Sequence, residues 1–157
     1  MKKLWYLLLL PLFMGMAACS EEDIKDMKSL VGMWEMTNVK GVLTEYGKTE
    51  SFDVSPRDNP AEFDRVDVAD FTRWEFKSNG TFVGYEFENN AWEKYAEVIY
   101  SVNGGKLHLI GLGERENYTI VSLDETTLVV HFEESEGDEG SEDYYHLTMD
   151  ATYKKIQ

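Results

Sequence analysis

From Met33 onward, apolar and polar residues alternate over short runs, and turn residues break the runs. A period of two predicts strands, not helices. The predicted strands are residues 33–40, 71–77, 81–88, 95–102, 106–112, 117–123, 127–133 and 144–153. Asn79-Gly80, Asn103-Gly104-Gly105, Asp124-Glu125 and an acidic Gly-containing loop separate the later ones. Eight sequential strands joined by short hairpins predict an all-β fold, a single eight-stranded antiparallel up-and-down barrel, because closure removes exposed edges.

Matching the faces of neighbouring strands predicts register. A two-residue loop at Asn79-Gly80 pairs Phe76 with Val83, Trp74 with Tyr85 and Arg73 with Glu86. A last hairpin centred on Asp138 and Glu139 pairs Val130 with Leu147, Leu128 with Met149 and Phe132 with Tyr145. A one-residue slip would send each apolar set to solvent. The inward set then includes Trp74, Phe76, Tyr85, Tyr100, Leu109, Phe132, Tyr145, Leu147 and Met149, which are the candidate ligand-binding residues. A barrel of this size is either filled by its own side chains or holds one small ligand. The large aromatics favour filling, while the Tyr hydroxyls call for polar partners that a ligand or water near the mouth would supply.

Residues 41–70 break the pattern, with Pro56, Pro60 and scattered acids. A connection this long in a compact domain is usually functional or partly structured. Two readings stay open: a lid over the barrel mouth, or an extra hairpin of residues 42–46 and 49–54 around Gly47-Lys48.

Gly32-Met33-Trp34 opens the first strand, and here the chain resembles the lipocalin family, whose first strand carries Gly-x-Trp at the closed barrel end. Leu30-Val31-Gly32-x-Trp34, Phe76-x-Ser78-Asn79-Gly80-Thr81-Phe82, the Leu123-Asp124…Thr127-Leu128 turn and a Tyr-rich last strand look like the lipocalin-like domain of small bacterial lipoproteins. The resemblance spans about residues 30–155 and implies non-catalytic binding of a small, mainly apolar molecule in the lumen, with 41–70 as the lid. Lipocalins usually pack an Arg from the barrel end on the Trp. This chain has only Lys154 and Lys155 there, and Lys attracts an indole without stacking on it. The rival expectation is a filled-core interaction module, an accessory subunit for a protein or glycan partner.

The amino terminus supplies an address. Lys2 and Lys3, an apolar run over residues 4–12 and small residues before Cys19 form a secretory signal pattern. The run is too short to remain as a spanning helix. Met16-Ala17-Ala18-Cys19 resembles a bacterial lipobox, which implies a cleaved signal (1–18), lipid on Cys19, an acidic tether (19–29) and a barrel domain (30–157). Ser20-Glu21-Glu22-Asp23 resembles a surface-export signal of Gram-negative lipoproteins. The expected location is therefore the outer membrane, cell-surface exposed or otherwise periplasmic.

Composition narrows the partners. Removing Lys2 and Lys3 with the signal takes the formal charge from −15 to −17. So acidic a domain lacks the basic face that nucleic acid needs and repels anionic headgroups, leaving the lipid on Cys19 as the membrane contact. Cys19 is the single Cys, so no disulfide forms within one chain. Catalytic signatures are absent, and no enzyme activity or cofactor is expected. His131 and His146 face each other in the predicted register, but two His without a third ligand make a poor zinc site, and no metal is expected. The acidic loop 133–143 does not follow EF-hand spacing and reads as a solvated hairpin tip.

Overall fold

A computed structural model describes residues 21–66, 72–88, 90–111, 115–138, 140–141 and 143–156. The signal, the lipobox with Cys19 and Ser20 lie outside these residues. A helix α1 (Glu21–Leu30) leads into β1 (Gly32–Glu45), β2 (Lys48–Val54), helix α2 (Pro60–Val66) and β3 (Arg73–Phe76). Then follow β4 (Thr81–Glu88), β5 (Ala91–Asn103), β6 (Lys106–Ile110), β7 (Arg115–Leu123), β8 (Thr127–Glu136) and β9 (Tyr145–Ile156). All pairings are antiparallel, and β9 returns to β1, so eight strands close a barrel. The ninth strand, β2, lies outside the cycle.

The extra strand follows from unequal lengths. β3 has four residues and covers β1 only from Gly32 to Glu35. The rest of that edge, Val39 to Glu45, pairs with β2. The extra hairpin of the two readings therefore forms. Its turn is Tyr46-Gly47, one residue earlier than expected, with φ of 51° and 71°. Two positive φ values are the type I′ signature that suits hairpin twist.

Two predicted registers change. At the β3–β4 turn Lys77 N–H donates to the Thr81 carbonyl (2.8 Å) and Gly80 N–H to the Lys77 carbonyl (3.1 Å), with Gly80 at φ 84°. The loop thus holds three residues with Gly in the left-handed position. Phe76 pairs with Phe82 and Trp74 with Gly84, while Arg73 meets Tyr85 and forms its ion pair with Glu35, not Glu86. The odd shift turns Tyr85 to the outer face. In the last hairpin the centre moves to Gly140 and Ser141, because β8 runs on to Glu136 and pairs there with Tyr145. Val130 now pairs with Ala151, Leu128 with Tyr153 and Phe132 with Met149. This shift of four is even, so the inward and outward faces stay as predicted.

The end of the barrel where β1 begins is filled. Trp34 is fully buried and its indole N–H donates to the Leu30 carbonyl at 2.7 Å. Residues 21–29 of the expected tether (19–29) are thus helical together with Leu30, and the last turn joins the core through Leu30 and Met27. Lys155 takes the place of the expected Arg: its Nζ lies 4.8 Å from the Trp34 ring centre and donates to the Ser29 carbonyl (3.1 Å). Gly32 permits this, since a Cβ there would stand 2.6 Å from Lys155 Cε. Phe76, Phe82, Val102, Leu107, Leu128 and Tyr153 complete the filled layer.

Candidate functional site

The barrel interior changes character from one end to the other. Around Trp34 the inward side chains are fully buried. Toward the end where β1 finishes, Leu43, Tyr118, Phe132 and Tyr145 still pack against the core but stay partly exposed. Leu147 and Met149 lie among them, 3% and 6% exposed, opposite Leu43 and Phe132. Apolar surface that reaches solvent inside a closed wall is the feature of a ligand pocket.

Trp74 sits between the two regions. Its ring stacks on Tyr153 at 4.2 Å and meets Phe76 and Phe82 edge-on in the filled layer. On the other side it touches Tyr118 (5.3 Å), which in turn lies 5.3 Å from Phe132. Opposite Trp74 on β4 stands Gly84, with no side chain. Trp74 is 2% exposed, and its Nε1 has no hydrogen-bond partner among the described residues. A buried donor without an acceptor costs about 1–3 kcal/mol, so such a group calls for an explanation.

Of the nine candidates, all but Tyr85 belong to the core cluster or pack against it, and Phe132, Tyr145, Leu147 and Met149 are the ones on β8 and β9 toward the end where β1 finishes. Phe76 and Tyr100 also face inward but belong to the filled end: their rings touch at 5.0 Å, and the Tyr100 hydroxyl donates to the Lys77 carbonyl (3.2 Å). Burial raises the Tyr100 pKa. Tyr85 is not in the lumen. Its hydroxyl donates to Glu75 Oε2 at 2.7 Å on the outer face, and that bond, with some desolvation, pushes its pKa up to about 12. Trp92 lies on β5, under the Arg73 guanidinium (3.6 Å to the ring centre) and beside Phe87.

Sequence reasoning missed the mouth and its cover. In an antiparallel ladder, residues directly opposite share a face. Glu45 and Glu136 both pair with Tyr145, and Glu134 pairs with Leu147, so three exposed carboxylates stand on the inward parity at the rim. Beside the rim, Phe52 of β2 lies over Gly41, where a Cβ would stand 2.8 Å from Phe52 Cζ and 2.2 Å from the Thr148 carbonyl oxygen. Val54 of β2 with Phe63 and Val66 of α2 pack on the same core. The signal for this was visible in principle: a Gly inside a strand marks the close approach of another group.

The His pair does not form. His131 pairs with Asp150 (Nδ1–Oδ1 2.8 Å) and His146 with Ser135 (2.7 Å), because the four-residue shift separates them. Among the described residues, no group of three or more His, Cys, Asp or Glu is placed to hold a metal ion.

Residues 30–130 match the family model described as a lipocalin-like domain. Two solved structures are similar in outline. A lipocalin-like protein from Bacteroides uniformis is 14% identical, with 82% of this chain and 99% of that one covered and a TM-score of 0.45. An uncharacterized protein from Bacteroides eggerthii is 9% identical, with 81% and 99% covered and a TM-score of 0.46. No curated protein matches the chain.

Proposed function

Because this chain belongs to the lipocalin-like domain family, we propose that its barrel binds a small, mainly apolar molecule without catalysis. The observation that carries the reading is the gradient of exposure along the interior: filled around Trp34, and apolar but open to solvent around Leu43, Phe132 and Tyr145. In this reading the ligand lies on Phe132, Tyr145, Leu147 and Met149 with Trp74 as the floor. β2 and α2 form the lid, with Phe52, Phe63 and Val66 turned toward the core. The protein is a lipoprotein anchored through Cys19 in the outer membrane of a Gram-negative bacterium, its domain at the cell surface. The residues that support this are the lipobox-like Met16-Ala17-Ala18-Cys19 and the acids that follow it.

Titration with the apolar fluorophore N-phenyl-1-naphthylamine tests the binding. Saturable one-to-one binding is expected, lost in Met149→Trp, which fills the open region. Binding that never saturates, or that Met149→Trp leaves intact, contradicts it. For the anchor, radiolabelled palmitate fed to the host is expected in the wild-type protein and absent from Cys19→Ser.

A second reading, a filled-core module that docks a protein or glycan, draws on the outer wall. There a groove of about 360 Å³ is lined by Thr81, Glu97, Val98, Ile99, Ile110 and Gly111. Ile99 and Ile110 pair across β5 and β6 and are 64% and 44% exposed. Loss of partner capture in Ile99→Glu, with fluorophore binding absent from the wild type, would favour it.

A further inference from the structure

We infer that the lumen selects an uncharged ligand that enters with a hydrogen-bond acceptor first, a carbonyl- or ether-type oxygen seated on Trp74 Nε1. The inference rests on the ligand-binding reading above and adds the chemistry and direction of the ligand. Two independent features carry it. The first is the donor itself: Trp74 is 2% exposed, faces the interior, and its N–H has no acceptor among the described residues. Indole N–H is a donor only, so its complement is an oxygen or nitrogen lone pair. The second is charge. The inward side chains around Trp74 are apolar or aromatic, so a carboxylate brought there would be buried without a cation, which is far costlier than burying a neutral oxygen. At the mouth the exposed carboxylates of Glu45, Glu134 and Glu136 oppose an approaching anion. An unpaired donor deep in an apolar wall, behind an anionic rim, suits an apolar body with a neutral acceptor at its leading end.

The test uses three ten-carbon probes that differ only at the end: decane, 2-decanone and decanoate, each displacing N-phenyl-1-naphthylamine from the purified protein at neutral pH. The expected order is 2-decanone about tenfold tighter than decane, with decanoate weakest. Trp74→Phe is expected to abolish the roughly tenfold preference for 2-decanone over decane, whatever it does to the binding of both. Equal binding of ketone and alkane to the wild type overturns the inference and leaves lumen binding intact. It would mean that the N–H rests on a neighbouring ring or holds a fixed water. Decanoate binding as tightly as the ketone overturns the selection against charge. No displacement by any probe, together with no fluorophore binding, overturns the lumen reading and this inference with it. The wild-type comparison alone is decisive if Trp74→Phe fails to fold.

Discussion

Gly32 leaves an open space that Lys155 fills, and Lys155 in turn covers Trp34. Trp34→Ala removes the largest fully buried side chain and the bond to the Leu30 carbonyl, and is expected to cost about 3–5 kcal/mol in denaturant unfolding. A loss below about 1 kcal/mol would contradict its place in the barrel floor. Gly41 works by a different physical rule. Its Cβ would collide with backbone at Thr148 and Met149, which cannot swing aside as a side-chain tip can. Gly41→Ala is therefore expected to destabilise by about 1–3 kcal/mol and to loosen Phe52, read as a lower melting temperature. Asp124 shows a pH effect with a definite sign. Backbone N–H groups of Thr126 and Thr127, then the Thr126 hydroxyl, hold its carboxyl below the ordinary value of 3.8. A lowered folded pKa gives stability that is present above the unfolded value and lost as pH falls through the folded one. Asp124→Asn is accordingly expected to differ most from wild type above pH 4 and to converge with it toward pH 2 in acid unfolding. A constant difference across that range would contradict this.

At the scale of elements, period-two patterning located the strands well, because each one has a buried and a wet face. Parity also proved sturdier than register. The β8–β9 pairs moved by four residues, yet Leu128, Val130, Phe132, Leu147 and Met149 all face inward. Tyr85 went the other way because one extra residue in the β3–β4 turn is an odd shift, and Asn-Gly suits a two-residue loop and a three-residue loop alike. Helix α1 was hidden by its charge, since only Met27 and Leu30 of its described side chains enter the core. The long reach of β1 was not legible either: it depends on β3 being short, a relation between distant segments. Helix α2 gives the element-scale prediction. As a lid it slows exchange, so Phe63→Ser is expected to raise the release rate of N-phenyl-1-naphthylamine several-fold in stopped flow while Trp34 stays buried. An unchanged rate would assign α2 a purely structural role.

For the whole molecule, acidity, anchor and barrel fit one picture. The formal charge of −17 left once Lys2 and Lys3 go with the signal would keep the domain away from anionic headgroups, so a lipid on Cys19 would hold it near a membrane without pulling the mouth into the bilayer. Of the exposed large apolar residues described, Phe87, Tyr95, Ile99 and Ile110 stand on β4 to β6, Val121 on β7 and Tyr46 in the β1–β2 turn. The central claim is that the open part of the lumen holds a small molecule in the cell. Native mass spectrometry of the protein purified gently from its host, then denatured, tests this most directly. The expected result is an added mass of one small molecule that leaves on unfolding and proves uncharged with an oxygen acceptor. A bare polypeptide mass in both states, with no gain in thermal stability from 2-decanone, would contradict it.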